Sequence, residues 1–302
     1  MGRWRWGRGR WWTVAGLICT VGLRSGAAQT NVPEQKSVTP TQTTGTGTLG
    51  EILQRLQENV EQYQAQVPSF FCDEHVVSTM IPDPGHESRV TDATFRLKRA
   101  LDPAVAGRMV LEESHEVKLV NGEAAAGELV GGPAFLRGAF SNGLAMVSAS
   151  QQACMRYTLK SMAKNKPGDL ITIQFASVSA RVRASTCGMQ EDVSGHVLID
   201  PEMMQVTHLE FTAPRHIIGT ATNPTHYGVG TESNWIMGRW DVMVEYAPIL
   251  LDGKSFWLPT KISDRMRSDL VVNRWSYDAT YSNYHKLEVK SRILPGVGTS
   301  GP

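Results

Sequence analysis

The sequence predicts a mainly β protein, a curled antiparallel sheet with one N-terminal amphipathic helix packed in its concave face. Three observations predict it. Only one stretch, Ile52 to Val67, repeats apolar residues at spacings of three and four. From Ser69 almost to the end the apolar period is 2, with turn chemistry at short intervals and no helix between strands, which argues for an antiparallel meander over a parallel sheet. A single apolar helix stripe and the inner parity of a sheet then bury each other if the sheet curls around the helix. The 302 residues suit one such β domain with leader and tails, and no internal repeat calls for a second.

The first 28 residues follow the order of a secretory signal peptide. Arg3, Arg5, Arg8 and Arg10 precede an apolar run, Trp11–Leu23, and Ser25-Gly26-Ala27-Ala28 supplies small residues for cleavage after Ala28. The run is 13 residues long, whereas crossing a bilayer takes about 20. The expectation is export to the periplasm or beyond, with the protein peripheral to the membrane at most. Ile18, branched where a lipid-attachment cysteine needs a small neighbour, argues against lipidation at Cys19. The one near-sequon, Asn223-Pro224-Thr225, is blocked by its proline, which fits a bacterial periplasmic protein.

Residues 29–47 are rich in Thr, Gln, Pro and Gly and nearly free of large apolar side chains, so they read as a disordered linker. The domain is expected over 48–295, with a flexible tail at 296–302. Thr48-x-x-Glu51 is a capping box; Ile52, Leu53, Leu56, Val60, Tyr63 and Val67 form the stripe, and Pro68 stops the helix. Leu56 and Val60, in mid-stripe, are expected to be buried, with Gln57 and Glu61 facing solvent or the rim.

Strands are expected near Phe70–Thr79, Arg89–Leu101, Arg108–Val120, Ala153–Lys160, Leu170–Val178, His196–Asp200, Gln205–Thr212, Arg239–Ala247, Phe256–Met266 and Arg274–Ile293. Pro82-Asp83-Pro84-Gly85, Asn121-Gly122, Pro167-Gly168-Asp169 and Asp252-Gly253 mark turns between them. Trp275, Tyr277, Ala279 and Tyr281 share one parity that Leu287 continues, so the last segment is one long strand or two broken near Asn283. Gly127–Asn142 fits neither period and reads as a short helix or an insertion covering one end of the sheet.

Composition excludes several classes. Hydrophobic residues at 41% and charged residues at 20% describe a globular chain with a sizeable core. The formal charge of +1 misleads: five of the 30 basic residues lie in the leader and none of the 29 acidic ones does, so the mature chain is at −4. Nothing draws such a chain to nucleic acid.

Removing the leader leaves Cys72, Cys154 and Cys187. An odd count in an oxidising compartment predicts one bridge and one lone thiol. Cys154 and Cys187 flank neighbouring alternating segments, which favours that pair.

The search for chemistry is negative. No nucleophile elbow, phosphate loop, dinucleotide fingerprint or His-Glu-x-x-His helix is present, so no catalytic residue and no cofactor are expected. In Cys72-Asp73-Glu74-His75, strand alternation puts Cys72 and Glu74 on one face and Asp73 and His75 on the other, which separates any cysteine–histidine pair. That reading leaves a half-buried cysteine with charges on the solvent face. Asp200-Pro201-Glu202 lies where a hairpin needs a turn. The pairs His75/His86, His208/His216 and His216/His226 lack metal-ligand spacing, so no metal is expected.

The stretch Gly195-His-Val-Leu-Ile-Asp-Pro-Glu-Met-Met-Gln-Val-Thr-His-Leu-Glu210 resembles a hairpin of many secreted bacterial proteins with a lipoprotein-carrier-like (LolA/LolB-like) open barrel. Phe256-Trp257-Leu258-Pro259 resembles the segment after their next hairpin, and Tyr281-x-x-Tyr284 with Ser291-x-Ile293 resembles their C-terminus. Val67-Pro68-Ser69-Phe70-Phe71-Cys72-x-Glu74 after a helix is similar to a group of uncharacterised secreted bacterial proteins. The resemblance implies an incomplete barrel whose concave face holds acyl chains or another hydrophobic ligand, and it implies binding more than transport. Expected lining residues are Leu56, Val60 and Tyr63 on the helix and Trp240, Val242, Val244, Trp275 and Tyr277 on strands. The alternatives are an envelope scaffold module with a protein partner and no small ligand, and an enzyme whose site is assembled from distant residues.

Overall fold

The computed structural model describes residues 48–81, 87–125 apart from 104 and 106, 138–161 apart from 142, 169–224 apart from 181, 185, 186 and 188, 231–268 and 274–288. The expected leader, linker and tail lie outside these, as does most of the Gly127–Asn142 segment.

Among the described residues one α-helix precedes eleven strands. Helix α1, Leu49–Gln66, begins at the predicted capping box: the Glu51 amide donates to Thr48 Oγ1, and Glu51 Oε2 accepts from the Thr48 amide at 2.5 Å. It ends where Pro68 forces Val67 out of the helical region, leaving the Val67 amide on the Tyr63 carbonyl at 2.8 Å. Ile52, Leu53 and Leu56 are buried and Val60 and Tyr63 half-buried, so the stripe stands as read, except that Val60 lies at an edge and Gln57 is only partly exposed.

The strands are β1 (Phe70–Ile81), β2 (Glu87–Leu101), β3 (Met109–Val120), β4 (Glu123–Ala124), β5 (Met155–Ser161), β6 (Ile171–Ser177), β7 (Ser194–Asp200), β8 (Gln205–Pro224), β9 (Thr231–Leu251), β10 (Lys254–Ser268) and β11 (Arg274–Lys286). They form one antiparallel sheet in the order β4-β3-β2-β1-β11-β10-β9-β8-β7-β6-β5. The sheet is not closed: its free edges are β4 and β5, and its middle seam joins the first strand to the last.

Two hydrogen bonds measure the curl. Asn59 Nδ2 donates to the carbonyl of Met204, just before β8, at 2.5 Å, and Arg99 Nη1 on β2 donates to the carbonyl of Gln64 at 2.7 Å. In a flat sheet β2 and β8 would stand five strand spacings apart, roughly 24 Å, whereas Asn59 and Gln64 are separated by about 8 Å along the helix. Only a sheet wrapped around α1 brings both strands to it.

Turn chemistry sets the hairpins. Asn121 and Gly122 (φ 51° and 83°) link β3 to β4, and Asp252 and Gly253 (φ 55° and 76°) link β9 to β10, both residues of each pair being left-handed as the tightest hairpin turn demands. Asp200 Oδ1 accepts from the amides of Glu202 and Met203 at 2.8 and 2.9 Å, so Asp200-Pro201-Glu202 is the β7–β8 turn. Gly195 has no room for a side chain: a Cβ would stand 2.0 Å from the Glu210 carbonyl oxygen.

The last strand is continuous and bulged at Asn283. There φ is +53° and the β1–β11 register shifts between Phe71 and Asp73. The bulge changes parity, so Tyr281 and Tyr284 both pack on the core. Cys154 and Cys187 form the expected disulfide with their Cα atoms 5.6 Å apart. Cys72 is wholly buried rather than half-buried, and Glu74 goes inward with it, so only Asp73 and His75 put charge on the solvent face of that motif.

Candidate functional site: a cleft between the helix and the β9–β10 hairpin

The segment before β5 determines what α1 leaves open. Glu113, on the inner parity of β3, accepts backbone amides through both carboxyl oxygens: Gly138 on Oε2 at 2.5 Å, and Phe140 and Ser141 on Oε1 at 3.0 and 2.6 Å. The clasp drives Phe140 into the concavity, where its ring stacks on Phe95 with centroids 4.2 Å apart and meets Tyr281 edge-on at 4.9 Å. Tyr63 donates its hydroxyl to the Phe140 carbonyl at 2.7 Å. Burial, then the Glu113 charge, holds the Tyr63 phenol well above its ordinary range, so it stays a donor.

Past Phe140 a cleft of about 380 Å³ opens between the outer half of α1 and the β9–β10 turn. Its apolar walls are Tyr63, Leu144, Phe256 and Trp257, and its polar rim is Asn59, Gln62, Gln66, Gln205, Lys254 and Ser255. A recess of about 20 Å³, water-sized, adjoins it through the shared residues Tyr63, Leu144 and Trp257, and reaches Val60 and Tyr246. The buried Tyr246 hydroxyl has no hydrogen-bond partner among the described residues, and burial keeps its phenol protonated by raising its pKa.

Of the predicted lining residues, Val60 and Tyr63 stand on these walls. Leu56, Trp240, Val242, Val244 and Tyr277 are buried in the core, Trp275 is half-buried against it, and none of the six lines either recess. The strand residues form one inner-face patch, since Val242 pairs with Asp264, Asp264 with Tyr277 and Met266 with Trp275 across β9, β10 and β11. Sequence reading missed Phe256 and Trp257 as wall residues. Phe256 is buried in the core and Trp257 packs partly buried against it, so both reach the cleft from the core side.

Two acids also face inward: Glu74, which shares the Cys72 face as alternation predicts, and Asp264, which sequence reading missed. Glu74 is buried, with Oε2 2.7 Å from His115 Nδ1 and Oε1 accepting from the Tyr281 hydroxyl at 3.0 Å. Asp264, 2% exposed, has one carboxyl oxygen, Oδ1, with no hydrogen-bond partner among the described residues. Burial pushes its pKa up to about 7, although the Trp240 indole and Arg265 pull it down.

No protein-family model matches the chain, and no curated protein matches it. Three solved structures are similar in part. A putative outer membrane lipoprotein-sorting protein domain from Vibrio parahaemolyticus is 9% identical, covering 76% of this chain and 90% of its own at a TM-score of 0.33. A LolA superfamily protein from Nitrosomonas europaea is 13% identical over 82% and 96%, with a TM-score of 0.30. A DUF1329 family protein from Desulfovibrio piger is 8% identical over 82% and 95%, also at 0.30.

Proposed function

We propose that this is an exported cell-envelope protein that binds a lipid-like ligand in the cleft between α1 and the β9–β10 hairpin. The observation that carries the reading is the cleft itself: about 380 Å³ with aromatic walls, within the roughly 300–1,000 Å³ of small-molecule pockets. An acyl chain would lie against Tyr63, Leu144, Phe256 and Trp257. Lys254 and the rim amides would face an anionic or polar head. Trp240, Val242, Val244, Trp275 and Tyr277 pair further along β10, at Ile262, Asp264 and Met266, and with Leu56 belong to the packed core rather than to the site. Export rests on the leader-like N-terminus; among the described residues no helix is long and apolar enough to cross a membrane.

Native mass spectrometry of protein taken from membranes without detergent, with titration of a fluorescent fatty acid, tests the reading. Lipid-mass adducts and saturable binding are expected. Trp257→Ala should weaken binding roughly tenfold, about 1.4 kcal/mol, the scale of one aromatic contact surface lost. Bare protein that ignores the fatty acid refutes it. That outcome would favour the scaffold reading, which has its own support in the filling of the inner face by α1 and Phe140.

A further inference from the structure

The solvent face of the β7–β8 hairpin gathers ligand chemistry that sequence spacing hides. His196 on β7 is the register partner of Glu210 on β8, and Leu198 is the partner of His208. Alternation then puts His196, His208 and Glu210 on one face, opposite the buried Val197 and Leu209. The two imidazole centroids are 5.7 Å apart, and His208 Nε2 lies 3.8 Å from Glu210 Oε2. One ligand atom from each of the three residues falls within 4.8 Å of the others. A tetrahedral ion with bonds of about 2.0–2.1 Å holds its ligands roughly 3.4 Å apart, so small side-chain rotations close the set.

These rings differ from the other carboxylate-paired histidines. His75, His115 and His216 are each held by a carboxyl oxygen at 2.6 to 2.7 Å, on Asp92, Glu74 and Glu191. Among the described residues neither the His196 nor the His208 ring makes a hydrogen bond, His208 Nε2 standing 3.8 Å from Glu210 Oε2, which leaves the ring nitrogens available. Glu245, exposed on β9, is the register partner of His208 and lies on the same face.

We propose that this hairpin face binds a zinc-class divalent transition-metal ion through His196, His208 and Glu210. Two imidazoles and one carboxylate form a donor set for borderline ions rather than for Mg²⁺ or Ca²⁺, which take oxygen ligands. The fourth position is open to water or to Glu245. The ion would tie β7 to β8 without touching the lipid cleft, so the two proposals stand or fall separately.

The test is calorimetric titration of the tag-free, chelator-stripped full chain with Zn²⁺ alone, with Mg²⁺ and Ca²⁺ as comparators. Saturable uptake of a single Zn²⁺ is expected, with no response to the comparators. His196→Ala and His208→Ala should each weaken it by more than about tenfold, since even outer-shell losses cost 10–100-fold. Zn²⁺ should raise the melting temperature of the unmodified chain and not that of Glu210→Gln, a near-isosteric change on an exposed face. No Zn²⁺ uptake by the unmodified chain, or uptake undiminished in both histidine variants, would overturn the proposal.

Discussion

At Asp264 a carboxyl occupies a position that alternation reserves for the core, between Ile262 and Met266. Its pKa rises from 3.8 to about 7 because burial disfavours the charge. Below about pH 4 both the folded and unfolded chains hold the proton and no penalty exists. As pH rises the unfolded chain loses it first, so stability falls through pH 7, by roughly 2–4 kcal/mol in all. Denaturant melts of Asp264→Asn should lack that slope and show greater stability than the parent chain at pH 8. An unchanged slope would place the titration elsewhere. The buried Cys72 gives a second expectation at this scale, because burial pushes its thiol far above the reactive range. Unreduced protein freed of its leader should titrate no thiol when native and one when denatured.

The inward acids were legible as breaks in parity, and Glu74 had already been placed on the Cys72 face. Their partners were not. His115 lies two strands from Glu74 and Tyr281 comes from the other end of the chain; such pairings depend on register between strands, which no local spacing encodes.

Among the elements, α1 was legible because capping, stripe and stop agreed. Its role is split along its length. Leu56 is packed core, so Leu56→Ala should cost roughly 2–5 kcal/mol in a denaturant melt. Val60, half-buried beside the small recess, should cost less than half as much when cut to Ala. Equal losses of stability would remove the distinction between core and recess wall. Strands β8 and β9 were foreseen only in their inner halves, over Gln205–Thr212 and Arg239–Ala247. Register shifts at Ala213/His216 and Ile217/Gly219 interrupt the period of β8 there. The two-residue β4 is too short to show a period at all.

On the scale of the whole molecule, the mainly β class and the helix in the concave face followed from counting periods, and the Cys154–Cys187 pair from neighbouring segments. Closing its 33-residue separation should stabilise the fold by about 3–4 kcal/mol. Replacing both cysteines with serine should lower the unfolding free energy by that amount with β-sheet circular dichroism intact. Loss of the sheet signal would mean that the bridge is needed for folding itself. The cleft was less visible, because its walls come from α1, the segment before β5 and a hairpin about two hundred residues beyond α1, and only their docking creates it.

The pairing of β1 with β11, Phe70 against Lys286 at one end and Ile81 against Arg274 at the other, has a consequence in time. Every other neighbour in the sheet is a short-range antiparallel partner, whereas this seam needs the two ends of the domain at once. A chain still being synthesised can form the β1–β2–β3 arm and, later, the β5–β10 arm, but it cannot join them before its last strand is free. Closing so long a loop carries an entropic cost that arrives before the contacts that reward it. Until then β1 presents a bare edge of unpaired backbone groups. The centre of the sheet is therefore the last part that can form as the chain emerges.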